Sequence, residues 1–331
     1  MSIQKRVALL GSGSWATAIA KILHTNVKQL NWYIREPEII DGIVTNNSNP
    51  LYVSDIKFNT DKLFVTNNPN EAVANADIII FCVPSKFAVS LCDLITADLS
   101  QKQLVTAIKG IEPNEIVLIS EYLQQRFSVT STNMAVVSGP CHAEEVALER
   151  LSYLTIGSPN AELSQELSEL FSVHFIKTCT SQDIIGIEYS AVLKNIMALA
   201  TGIAHGLGYG DNFTSVLISN AIQEIKRFLD TTAPTVRDIN DSVYLGDLLV
   251  TAYSQFSRNR AFGMMIGKGY SVKSAELEMN MIAEGYYGVY CINHINKQFN
   301  VNMPITQAVY KILYEKVSPK KEFKLLSDCF R

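Results

Sequence analysis

The sequence predicts an α/β N-terminal domain, with a mostly parallel sheet and helices on both faces, followed by an all-α C-terminal domain. Three observations carry that prediction. Short β-branched runs alternate with helix-like stretches up to about residue 185. Beyond that point the strand signals fade and long apolar helical patterns take over. The first strand also runs directly into a glycine-rich turn that opens a helix. A chain of 331 residues has room for two domains at about 100–200 residues each. The change of character sets the expected domains at 1–185 and 186–331.

Taken in order, residues 6–10 (RVALL), 32–34, 63–66, 78–83, 104–108 and 135–138 read as strands. Residues 153–157 and 174–178 are further candidates. Between several of them lie helix-like segments, among them 15–25 and 85–97. In the second half, 187–205, 213–229 and 304–317 read as helices. Glycine and proline punctuate the loops at 206–210, 232–234 and 267–270. No repeat period or low-complexity tract appears.

Composition narrows the function classes. Hydrophobic residues make up 47% and charged residues 18%, which excludes a largely disordered chain. The formal net charge of -4 excludes a generally basic nucleic-acid binder. The apolar run 76–84 (ADIIIFCVP) falls far short of the roughly 20 residues that span a membrane. The N-terminus lacks a signal-peptide core with a cleavage site. The expectation is a soluble, cytoplasmic protein. Six scattered cysteines without a C-x-x-C pair read as reduced thiols, and five isolated histidines without metal-ligand spacing give no metal site.

The first chemical signal is Gly11-Ser-Gly13-Ser14-Trp15-Ala16. Gly11 suits a tight turn, Gly13 lets backbone approach a pyrophosphate, and Ala16 keeps the helix close to the strand. This is the fingerprint of a Rossmann-type dinucleotide site, with N–H groups at the helix start facing phosphate; a plain glycine turn is the blander reading. NAD-selective sites place an acidic residue about 20 positions on. Here Arg35 ends the second strand and Glu36 follows. Arg35 could receive a 2′-phosphate, so NADPH is permitted, or it is a solvated strand-end arginine. Lys109 and Gly139 follow later strands at the edge where such sheets bind ligands.

The second signal is Lys194, with Asn195 beside it, in a helix that is apolar on nearly every face. Burying an ammonium is costly and lowers its pKa, so such a lysine is a candidate proton carrier. A snorkelling lysine is the alternative. The third signal is Asp247 with Thr251, followed by Ser257-Arg258-Asn259-Arg260. Guanidinium forks, an amide and a hydroxyl suit phosphate oxygens; a helix start with Ser257 as N-cap is the alternative. Asp247 could orient the lysine. Residues 282–285 form either a cofactor-contacting turn or an ordinary loop.

The combination of GSGSWATA, FCVPS, AIKGIEP, SGPCHAEEVA, EYSAVLKNIMALATGIAHGLGYGDN, GDLLVTAYSQFSRNRAFG and AEGY resembles the bacterial NAD(P)-dependent glycerol-3-phosphate dehydrogenase family, from about residue 6 to 315. The resemblance implies a C-terminal domain of the 6-phosphogluconate dehydrogenase-like type, NAD(H) or NADP(H) as cofactor, dihydroxyacetone phosphate as substrate, and a homodimer without nucleic-acid or membrane partners. It implies that Lys194 is the catalytic proton carrier, assisted by Lys109 and Asp247. Gly11, Gly13, Ser14, Trp15, Arg35, Tyr52, Lys109, Ala143, Arg258, Ile282 and Glu284 would contact the cofactor. Lys109, Gly139, Cys141, Lys194, Asn195, Asp247, Thr251, Ser257, Arg258 and Asn259 would contact the substrate. Cys141 stands where the family usually has a serine or threonine, and a thiol is a weaker hydrogen-bond partner. Residues 231–244 also depart from the family's glycine-rich approach to the aspartate. Two other readings are another two-domain dehydrogenase acting on a β-hydroxy or sugar acid, and a dinucleotide-sensing protein without catalysis. The SRNR cluster argues against a non-phosphorylated substrate.

Overall fold

The computed structural model describes residues 5–279 and 283–330. The chain divides into two compact units. The first holds the described residues up to Ile108 together with Val117–Ile184; the second holds Lys109–Ile116 and the described residues from Ile185 onward. The short segment carrying Lys109 thus belongs with the helical unit, although it follows a strand of the first unit.

In the first unit the strands are β1 (Val7–Leu10), β2 (Leu30–Tyr33), β3 (Leu63–Thr66), β4 (Ile78–Phe81) and β5 (Gln103–Thr106). The segment of the second unit carries β6 (Ile111–Glu112). The first unit resumes with β7 (Val117–Leu118), β8 (Met134–Ser138), β9 (Ser152–Gly157) and β10 (Ile176–Ser181). Eight of them form one sheet in the order β10-β9-β8-β5-β4-β1-β2-β3. All pairs are parallel except β8 with β9. The order reverses between β1 and β4, and ligands of doubly wound sheets bind beyond the strand ends at such a switch point.

Helices α1 (Ser14–Asn26), α2 (Pro37–Asn46), α3 (Pro69–Ala74), α4 (Ala88–Leu94), α5 (Ile119–Phe127), α6 (Ala143–Ala147) and α7 (Ala161–Phe171) complete the unit. The central strands are continuous apolar runs because both sheet faces are covered. Val7, Leu9, Ile78 and Ile80 pack with α1 and α7, whereas Ala8, Leu10, Ile79 and Phe81 pack with α3, α4 and α5. The helix expected over 85–97 is a 3-10 turn (Ser85–Phe87) leading into a shorter α4.

Among the described residues, the second unit is helical apart from β6. It contains α8 (Ile184–Gly206), α9 (Asp211–Thr232), α10 (Asp247–Tyr253), α11 (Arg258–Gly267), α12 (Val272–Glu278), α13 (Glu284–Phe299), α14 (Pro304–Tyr314) and α15 (Pro319–Cys329). By length and composition α8 could cross a membrane. In the fold it is a core helix: from Gly186 to Ala204 every residue but Tyr189 is buried. Two G-x-x-x-G spacings explain how tightly it is packed. A Cβ on Gly202 would lie 2.1 Å from the Arg260 carbonyl oxygen, and one on Gly263 would lie 2.2 Å from that of Leu199. Helices α8 and α11 therefore meet backbone to backbone. Glu224 on α9 accepts from the Ile305 and Thr306 amides at 2.8 and 2.9 Å, capping the buried start of α14.

Candidate active site

The glycine turn of the first unit is held from behind. Gly11 has φ +132°, and a Cβ there would lie 2.1 Å from the Cys82 carbonyl oxygen at the end of β4. Only glycine fits this crossing. Trp32 Nε1 donates to the Gly11 carbonyl at 2.7 Å. Asn49, fully buried, donates through Nδ2 to the Ser12 carbonyl and to Thr17 Oγ1, both at 2.9 Å. Thr17 Oγ1 in turn donates to the Gly13 carbonyl at 3.0 Å. Every carbonyl of the turn is thus occupied on the protein side. A Cβ on Gly13 would meet nothing within 4 Å, and α1 carries no acidic residue in its first turn. An open backbone leading into an uncompensated helix start suits a dinucleotide pyrophosphate.

The other residues expected at the cofactor are distributed as follows. Ser14 and Trp15 open α1. The Tyr52 amide donates to Asn49 Oδ1 at 3.1 Å, which ties its loop to the glycine turn. Ala143 opens α6 and is buried. Arg35 is exposed and ion-paired with Glu36 at 2.8 Å. Glu284 opens α13 in the second unit. Ile282 lies outside the described residues. Gly139 has φ +131°, and a Cβ there would lie 2.7 Å from the Tyr153 carbonyl oxygen, so packing against β9 already requires glycine. Cys141 is a buried cysteine of the first unit, outside any disulfide.

The second unit gathers the polar chemistry around α8. Lys194 Nζ donates to Asp247 Oδ1 at 2.5 Å, and only 4% of Lys194 and 1% of Asp247 is exposed. Lys109 Nζ lies 3.8 Å from Asp247 Oδ2. Two ammonium groups thus flank one carboxylate. Oδ2 is buried and accepts no hydrogen bond among the described residues. Burial pushes the Lys194 ammonium down to about 7. Asp247 opposes that shift, and the positive charge of Lys109 adds to it. Asn195 Nδ2 donates to the Lys109 carbonyl at 3.3 Å, fixing the segment that bears the second lysine.

Local structure explains why Asp247 can reach α8. Residues Ser242–Gly246 form a π-helical turn that runs directly into α10. Such wide turns are frequent at functional sites. Thr251 Oγ1 donates to the Asp247 carbonyl at 2.6 Å, so its proton is committed inside α10 and only its lone pairs face other partners. Ser257 caps α11 by accepting from the Arg260 amide at 3.3 Å, as the plainer sequence reading held. Asn259 Oδ1 accepts from the Gly285 amide at 2.9 Å, joining α11 to the start of α13. Arg258, the first residue of α11, is exposed.

Sequence reasoning missed the supports. Asn49, Thr17 and Trp32 look like loop, helix and core residues. The sole hint is that Asn49 lies in an asparagine-rich loop before Tyr52.

The family profile for the NAD-dependent glycerol-3-phosphate dehydrogenase N-terminus matches residues 6–164, and that for the C-terminus matches residues 183–324. The glycerol-3-phosphate dehydrogenase (NAD(P)+) of Bacillus subtilis (strain 168) is 35% identical over 312 residues, covering 94% of this chain and 90% of its own. The protein of the same name from Streptococcus agalactiae serotype V is 34% identical over 331 residues, covering 99% and 98%. Among solved structures, glycerol-3-phosphate dehydrogenase from Coxiella burnetii superposes with a TM-score of 0.89 at 27% identity, over 97% of this chain and 98% of that one. With both units matched along nearly their whole length, the chain is a member of the NAD(P)-dependent glycerol-3-phosphate dehydrogenase family of oxidoreductases.

Proposed function

We propose that this enzyme reduces dihydroxyacetone phosphate to sn-glycerol 3-phosphate with NADH or NADPH, reversibly, and so supplies the backbone of glycerophospholipids in the cytoplasm. The observation that carries the reading is the buried Lys194–Asp247 pair with Lys109 on the carboxylate's other oxygen. A ketone carbonyl gains negative charge as hydride arrives, and two ammonium groups in a water-poor site are suited to receive it.

When bound, the nicotinamide supplies the hydride to the C2 carbonyl carbon. The chain's own residues do the rest. Lys194 donates a proton from Nζ to the carbonyl oxygen and recovers it in the reverse direction. Burial suits it to both tasks, because a general acid works best with a pKa near the working pH. Lys109 stabilises the developing alkoxide. Asp247 holds the Lys194 ammonium in line, and its Oδ2, which accepts no hydrogen bond among the described residues and faces Lys109 only as an ion pair, can accept from a substrate hydroxyl. Arg258 and Asn259 bind the phosphate. Asn259 spends its oxygen on Gly285, which turns its amide donors to that task. Ser257 adds a contact near its capping role. The glycine turn with Ser14 and Trp15, together with Tyr52 and Ala143, binds the dinucleotide. The family resemblance supports these roles and a homodimer.

The test is oxidation of NADH and NADPH with a substrate panel. Dihydroxyacetone phosphate should exceed carboxylate substrates such as β-keto acids by at least about 100-fold in kcat/KM, a conservative bound beside the roughly 10⁴–10⁵-fold by which a site built to hydrogen-bond one group rejects a substrate that lacks it. A carboxylate used as well as the phosphorylated ketone would overturn the reading. Tight nucleotide binding without turnover on any ketose phosphate would favour a sensor.

A further inference from the structure

Arg35 at the end of the second strand suggests, taken alone, a site for the extra phosphate of NADPH. The structure adds a second charge. Glu36 accepts from Ser12 Oγ at 2.6 Å through Oε2. Its Oε1 accepts from Arg35 Nε at 3.1 Å and from Arg35 Nη2 at 2.8 Å. Glu36 also occupies the N-cap position of α2, yet its side chain makes no capping bond there. It is turned back instead to a residue 24 positions earlier, the middle residue of the glycine turn. The carboxylate is partly buried, with 24% of its side chain exposed. Burial alone would raise its pKa, but the bonds from Ser12 and Arg35 outweigh this and hold it below the ordinary range. It is therefore ionised at neutral pH.

We propose that Glu36 sets the choice between the two nicotinamide cofactors in favour of NADH, because its carboxylate, anchored by Ser12 Oγ, is seated on the Arg35 guanidinium that would otherwise receive a 2′-phosphate. In Rossmann-type sites the ribose of the adenosine half is read beyond the end of the second strand, where Arg35 and Glu36 stand. A 2′-hydroxyl can donate to the carboxylate. A 2′-phosphate meets a like charge and finds the guanidinium already neutralised. Glu36 thus cancels the preference that Arg35 would otherwise confer. The inference rests on the reading of the Gly11–Ala16 turn as the dinucleotide site, and the test separates the two.

The test is calorimetric titration of the intact protein with 5′-AMP and with adenosine 2′,5′-bisphosphate, which differ only in the 2′-phosphate, alongside NADH. The wild type should bind the bisphosphate no more tightly than AMP. In Glu36→Gln the ratio of the two affinities should move toward the bisphosphate by about tenfold or more. Adding Arg35→Gln to that variant should abolish the gain, since the freed guanidinium is what captures the phosphate. A wild type that binds NADH but shows no change of ratio in Glu36→Gln overturns the role of Glu36 alone. A wild type that prefers the bisphosphate about tenfold does the same. A wild type that binds neither NADH nor either adenosine nucleotide overturns the dinucleotide reading and this inference with it.

Discussion

Lys194 gives up nearly all of its hydration, and the charges around it decide whether it keeps its proton. Burial lowers its pKa to about 7, Asp247 pulls upward and Lys109 pushes further down. The sign of the pH dependence follows. Reduction uses the protonated form, so kcat for ketone reduction should fall as pH rises through about 7, while kcat for alcohol oxidation should rise over the same range. Removing the Asp247 charge removes the one upward influence. The alkaline limb of the reduction profile should then move to lower pH in Asp247→Asn, and pH–rate profiles in both directions check this. A limb that stays in place or moves upward would separate the rate from Lys194. This lysine was legible in the sequence, because an ammonium inside a helix apolar on every side is conspicuous. Glu36 bound to Ser12, and Asn49 beneath the glycine turn, were not. Their partners lie 24 and 37 positions away, and only the sheet order brings them together.

At the scale of elements, the central feature is the contact of α8 with α11. Each carries two glycines four residues apart, Gly202 with Gly206 and Gly263 with Gly267, and all four face backbone of the other helix. A methyl group at Gly263 would stand 2.2 Å from the Leu199 carbonyl oxygen, so the helices would have to part. Gly263→Ala should cost about 1–3 kcal/mol of stability, the usual range for overpacking. It should also raise KM for the phosphorylated substrate, since α11 begins with Arg258 and Asn259. Urea denaturation and steady-state kinetics measure both effects; an unchanged midpoint would show that the helices are not pressed together. The strands were read well because buried parallel strands are short β-branched runs. Their ends shifted by a few residues: the run expected at 174–178 is β10, Ile176–Ser181. The π-helical turn before Asp247 had no signal, since residues 231–244 carry neither a regular period nor the usual glycines.

Across the whole molecule, the first unit presents a rigidly backed glycine turn and the second an enclosed pair of lysines on one carboxylate. A linear boundary near residue 185 describes the change of architecture but not the whole division. Lys109–Ile116 belongs with the helical unit, and it carries the second lysine there. Sequence order alone could not assign that segment, because its partners are distant in the chain: β6 packs on α13, and Lys109 meets Asn195 and Asp247. The division of labour makes one measurement decisive. In Lys194→Ala, turnover of NADH with dihydroxyacetone phosphate and the equilibrium affinity for NADH should be determined on the same preparation. The account predicts that kcat falls by about 10²–10⁴-fold, the usual contribution of a general acid, while NADH affinity stays within about threefold, because the glycine turn lies in the other unit. Turnover close to that of the wild type in the variant would contradict it.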